Sequence, residues 1–215
     1  MSGIMLNIVG GTFGGLPAIG AAYEGGFFAG QISTAGNGVA DYNLVVGPVA
    51  SAQNASKQWK NAATVTAGAD SVIDGPQNTA DMVADGNSTV YPAAHFCNDL
   101  TIGGFSDWYM PAVNELEVCY YNLKPTTTSN NTSVGINTNA VPSRGSNYTS
   151  GTPAQTAAVD FKSTGAEDFT ADTYWSSTEC TVPGAARGKT FSNGGQYCYY
   201  MNAAVNVRAI RRVAV

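Results

Sequence analysis

A chain of 215 residues can bury one substantial core, about 70% of the surface of its unfolded form. Only 12% of the residues are charged, against about 25% in ordinary globular domains. Asn, Ser and Thr, about a quarter of the chain, keep the surface wet instead. A net charge of −5 with no basic run excludes nucleic acid as the main ligand, because phosphate binding needs clustered Lys and Arg.

Residues 1–35 are glycine-rich and apolar. From Met1 to Tyr23 no side chain is charged, yet Asn7, Thr12, Pro17 and several glycines interrupt the run, so no membrane span is expected. The charged start of a signal peptide is also missing. An apolar segment of this kind needs cover. It is expected to serve assembly or attachment, with an edge strand over the domain's own core as the alternative. The compact domain is expected over residues 36–215.

Asp41–Ala50 carries an apolar β-branched run bounded by Gly and Pro and reads as a strand. Trp59 follows in a second short segment. A short helix is expected after Asp74 or Gly75, with Pro76 in its first turn. Pro92–Leu100 reads as another helix. Pro111 is expected to open the next, in which Leu116, Cys119, Tyr120 and Leu123 recur at helical spacing and form a buried face. Pro125 stops it. Residues 125–172 are rich in Thr, Ser, Asn and Gly with little periodicity and read as a long loop region. Ser192–Gly195 is a hairpin turn signal. The segment from Asn206 to Val213 reads as one closing strand.

The sequence offers little catalytic chemistry. His95 is the one histidine, with no nucleophile signature beside it, so Ser–His–Asp and Cys–His catalysis are not expected. Glu115 and Glu117 are two apart on a helix and point in different directions, which does not make a glycosidase pair. Glu115 reads instead as a capping or pairing group. Asp99 and Asp107 lack the multi-oxygen cluster that calcium needs, so no cofactor is expected, with calcium the weaker alternative. Cys97, Cys119, Cys180 and Cys198 form no C-x-x-C pair and read as free thiols, a disulfide being the other possibility. An enzyme is not expected.

Three pieces carry a resemblance. They are Trp108 with Met110-Pro111 and Asn114-Glu115-Leu116, then Tyr174 to Thr178 (YWSST), then Val207 to Arg211 (VRAIR). In this order they resemble the Lcl-type C-terminal domain family, a branch of the C-type-lectin-like fold. Where relatives place an aromatic after Ala, this chain has Ala186 or Arg187. The resemblance implies an α+β fold, with two or three short helices around small antiparallel sheets. The wider sequence is similar to tail-fibre and other virion adhesins of tailed phages. Residues 180–206 are rich in Tyr, Asn, Cys, Ser, Gly, Ala and Arg. That composition is similar to phage lectin-fold proteins whose C-terminal region is rewritten by a diversity-generating retroelement.

The function implied is receptor binding on the phage particle surface. The partners implied are a host-cell surface glycan or protein, other virion proteins through residues 1–35, and sister copies in a homotrimer. The alternative is a structural decoration or fibre-tip protein with no host ligand. The candidate ligand-binding residues are Glu179, Arg187, Lys189, Asn193, Tyr197, Tyr199, Tyr200 and Asn202. Tyr offers large contact area at low entropy cost, and Asn supplies adaptable hydrogen bonds. Tyr197 and Tyr199 share one strand face and Tyr200 the other, so one of the two sets is expected in the core. Trp108 and Trp175 read as core anchors, and the closing arginines as partners for Glu115 or Asp107.

Overall fold

The computed structural model describes residues 15–215. In chain order it contains β1 (Ala22–Tyr23), β2 (Gly26–Ile32), β3 (Tyr42–Val46), α1 (Val49–Ala52) and β4 (Gln53–Lys57). The helices α2 (Gly75–Asp85), α3 (Pro92–Asn98) and α4 (Val113–Leu123) follow, then β5 (Ala140–Val141). The chain closes with β6 (Thr173–Glu179), β7 (Ala185–Thr190), β8 (Gln196–Tyr200), β9 (Val205–Arg208) and β10 (Ile210–Ala214). The fold is α+β, as expected, with four α-helices among the described residues where two or three were expected.

The strands form two sheets. One has the order β1-β2-β3-β10, with β5 added on β2, and the other has the order β4-β9-β6-β7-β8. The β6–β9 pairing is parallel and the others are antiparallel. The expected single closing strand is two. β9 and β10 belong to different sheets, and the chain changes sheet at Ala209, whose N–H donates to Ala52 and whose carbonyl accepts from Gly47. The last ten residues therefore join both sheets by backbone hydrogen bonds.

Part of the N-terminal segment is built into this frame. β2 lies between β1 and β3, and Phe28, Ala29 and Ile32 are buried. Residues 1–14 of that segment lie outside the described residues. No helix of the described residues is long and apolar enough to cross a membrane.

The helix signals behave as their chemistry requires. The Asp74 carboxylate accepts from the N–H of Gln77 and caps α2, with Pro76 in the first turn. Pro92 opens α3. Pro111 stands two residues before α4 rather than at its first position. Leu116, Cys119, Tyr120 and Leu123 are all buried, but so are Glu115, Glu117 and Val118, so α4 is covered nearly all round.

The described residues form two cores, and β6 divides them. Tyr174 packs with Phe169, Phe191, Tyr120 and Ile210 on one side. Trp175 packs with Trp59, Trp108, Tyr91 and Met110 on the other. Successive residues of a strand point to opposite faces, which is how one dipeptide anchors both. Each buried indole finds an acceptor: Trp59 on Ser176, Trp175 on Lys57 and Trp108 on Phe105.

Buried polar clusters complete the frame. Glu115 accepts from the N–H groups of Ala112 and Gly75, from the Tyr109 hydroxyl and from the Arg212 guanidinium. Asp107 takes Arg211 in a two-bonded pair at 2.7 and 2.9 Å. Arg208, fully buried, is held by Glu167 and by the Gly47 carbonyl. The long loop region is ordered in the same way. The Asn130 amide oxygen accepts from Tyr120 and Lys124, while its nitrogen donates to the carbonyls of Thr149 and Pro153.

Candidate functional site

The candidate residues gather on and around the hairpin of β7 and β8. The two strands pair from Ala185↔Tyr200 to Lys189↔Gln196. Its turn is tied down: Gly194 N–H donates to the Thr190 carbonyl at 2.8 Å, and Asn131 N–H donates to the Asn193 carbonyl at 2.8 Å. Gly194 has φ +75, and a Cβ there would stand 2.4 Å from the Tyr120 ring, so only glycine fits. The far end is tied as well, because Gln58 donates to the Asn202 carbonyl and Trp59 N–H to that of Met201.

One face of the hairpin carries Gly188, Tyr197 and Tyr199. A Cβ on Gly188 would lie 2.9 Å from the Tyr199 ring. The missing side chain is what lets Tyr199 cross the sheet toward Trp175, edge-on at 6.1 Å between centroids. Tyr199 is thereby half-buried. Tyr197 stands perpendicular to it at 6.4 Å and is 52% exposed, its hydroxyl accepting from Asn131. The other face carries Arg187, Cys198 and Tyr200, and Tyr200 is 73% exposed. Sharing a face therefore does not divide the tyrosines into a core set and a contact set. Tyr197 and Tyr200 both reach solvent, on opposite faces, and Tyr199 is the support between them. The Asn202 side chain is exposed beyond the strand end.

The remaining candidates are placed differently. Lys189 is a correction: it is fully buried and cannot touch a ligand directly. Its ammonium donates to the Tyr148 hydroxyl at 3.0 Å and lies over the rings of Tyr120 and Tyr148. Burial pushes its pKa down to about 8, against the pull of Glu117. Glu117 itself is buried and accepts from Arg144, Tyr148 and Asn137. Glu179 is buried at 7% exposure and accepts from the Thr66 N–H at 2.8 Å. Burial pushes its carboxyl up, and the Thr66 bond opposes that. Asn193 is half-buried and turns its side-chain oxygen to the Gly195 N–H, a turn-forming bond.

Cys180 and Cys198 form a disulfide, which corrects the free-thiol expectation for this pair. It ties the chain just beyond β6 to β8. Cys97 and Cys119 are free and buried, and burial pushes both thiols up. Sequence spacing could not identify the pair, because the partners meet only when β8 folds beside β7.

Arg187 lines two grooves. The larger, about 460 Å³, also contains Thr66, Asp70, Glu179 and Cys180. The smaller, about 250 Å³, contains Ser133, Val134, Ile136, Asn147 and Gln196. A third cavity, about 620 Å³, shares no residue with the hairpin and is lined by Tyr42, Asp74, Gln77, Asp107, Trp108 and Arg212. Its charges are matched within the protein, Asp107 by Arg211 and Asp74 by Arg212. Among the described residues no group of three or more His, Cys, Asp or Glu side chains could hold a metal ion.

The geometry defines an α+β domain that presents a short, doubly tethered hairpin bearing exposed tyrosines. The model of the Lcl C-terminal domain family matches residues 52–211, from the start of the second sheet to Arg211. The chain belongs to that family. No curated protein matches it.

Proposed function

We propose that this chain is a C-type-lectin-like recognition domain of a bacteriophage particle, a tail-fibre or particle-surface adhesin that binds a host-cell surface glycan or protein. The observation that carries the reading is the exposure of Tyr197 and Tyr200, with Asn202 just beyond the strand end, on a hairpin whose turn and far end are both fixed. Solvent-facing tyrosines on a rigid support bind at small entropic cost, since little is left to order on contact. A surface poor in charge favours a partner recognised by stacking and neutral hydrogen bonds. In a homotrimer attached to other virion proteins through the N-terminal segment ahead of β1, modest single-site affinity becomes firm attachment by avidity. The exposed positions of residues 180–206 are also those that a diversity-generating retroelement could vary without disturbing either core.

The test is binding of the purified chain to whole host cells. Replacing Tyr197, Tyr200 and Asn202 together by Ala is expected to lower binding at least about tenfold, the loss of one or two contact hot spots, with the thermal midpoint unchanged. Undiminished binding by the triple variant removes the hairpin as the receptor surface. If the wild-type chain binds no host cells and Tyr200 is instead covered by a neighbouring copy in the assembled particle, the protein is a structural decoration.

A further inference from the structure

Arg187 is a charge without an internal partner. The other arginines each pair with a carboxylate: Arg144 with Glu117, Arg208 with Glu167, Arg211 with Asp107, and Arg212 with Glu115 and Asp74. Among the described residues no carboxylate lies within ion-pair distance of Arg187. Its Nε–H, like that of Arg144, is sealed from solvent without a hydrogen-bond acceptor, but Arg144 has a carboxylate partner and Arg187 has none among the described residues. A buried donor left unpaired is costly, more so on a charged group, and such exceptions ask for a reason.

We propose that Arg187 is the carboxylate-binding residue of a sugar subsite, formed by the groove of about 250 Å³ beside the hairpin and specific for one acidic monosaccharide unit of the uronate type. The inference rests on the hairpin being a receptor-binding surface. It adds the chemical class of the ligand.

Three features choose this groove and this ligand. The larger groove on the other side of Arg187 contains Asp70 and Glu179, which repel an anion. The smaller one contains no acidic residue. Second, its volume lies just below the range of drug-sized ligand pockets, about 300–1,000 Å³, and suits one ring rather than an extended chain. Third, its lining is assorted as a sugar acid requires. The planar guanidinium fork matches a carboxylate, and Ser133, Asn147 and Gln196 offer hydroxyl and amide groups to ring hydroxyls. Ile136, 58% exposed, offers an apolar surface to the ring's carbon–hydrogen face. Gln196 begins β8, so the groove is continuous with the hairpin that carries Tyr197 and Tyr200.

The experiment follows the Nε–Hε resonance of Arg187 by NMR in the intact, oxidised protein. Glucuronate and galacturonate are the probes, with glucose and inorganic phosphate as controls. A saturable shift with at least one uronate at millimolar concentration, none with glucose and a smaller one with phosphate is the expected result. Arg187→Lys keeps the charge but loses the planar fork. It is expected to weaken uronate binding about tenfold or more at an unchanged thermal midpoint. Absence of a shift with both uronates overturns the proposal. So does an equal response to phosphate, which marks an unselective anion site. Host-cell binding separates the two levels. If Arg187→Lys binds cells as wild type does while the Tyr197/Tyr200/Asn202 variant fails, the sugar-acid subsite falls and the receptor-binding reading stands. If both variants bind undiminished, the receptor-binding reading itself falls.

Discussion

Replacing Glu115 by Ala is expected to destabilise the fold by about 3–5 kcal/mol, the usual cost of removing one partner of a buried ion pair. The carboxylate is fully buried, and burial pushes its pKa up, while the Arg212 guanidinium beside it acts in the opposite direction. One oxygen takes Tyr109 and Arg212, and the other takes the N–H groups of Gly75 and Ala112. Four donors therefore lose their acceptor at once. They belong to α2, to the entry of α4 and to β10, so the damage spreads over three elements. Arg212 keeps the Ile73 carbonyl and, as a carboxylate, only Asp74, 3.6 Å away and half-exposed. Arg212→Leu alone is expected to be similarly costly. The double variant is expected to lose clearly less than the sum, because neither partner is then left charged and alone. Urea unfolding of the three variants reads this directly. A loss below about 1 kcal/mol for Glu115→Ala, the scale of a surface pair, would show that the cluster is not structural.

Cys198→Ser is expected to cost about 3 kcal/mol in oxidising buffer, the loop-closure value for a cross-link of this span, since the two half-cystines are 18 residues apart. In reducing buffer the variant and the wild type are expected to unfold together. The effect has a local counterpart. β8 is an edge strand, paired only with β7, and the disulfide is its second tie at mid-strand. Reduction is therefore expected to speed amide exchange in Tyr197–Tyr200 more than in β6. Identical urea midpoints with and without reductant would mean that the bridge adds nothing to the frame.

How much of this could be read in the sequence depends on how local the cause is. The start of α2 is set by Asp74 and Pro76 within one turn, and the buried face of α4 by its own spacing, so both were legible. The hairpin was legible from Ser192–Gly195 because its turn chemistry is contained in the turn. The pairing of Arg211 and Arg212 followed from carboxylates already placed before α4 and on it, whereas Arg208 pairs with Glu167 of the long loop, which no local pattern announces. Lys189 was not legible. A lysine in a polar hairpin reads as solvent-facing, and the groups that bury it, Tyr120 and Tyr148, come from a helix and from a loop without periodicity. The same loop hides Asn130, whose side chain does the ordering that no hydrophobic pattern announces. The switch at Ala209 was invisible because neither Gly nor Pro marks it; two sheets compete for one continuous β-forming segment. The unpaired Nε–H of Arg187 is visible only once every neighbour is in place.

The most direct measurement is hydroxyl-radical footprinting of the intact chain, free and bound to host-cell envelopes. Side-chain oxidation of Tyr197 and Tyr200 is expected to fall on binding, while that of Tyr42, in the separate cavity beside Arg212, stays as it was. Protection of Tyr42 with Tyr197 and Tyr200 unchanged would place the receptor on the other cleft and contradict the account.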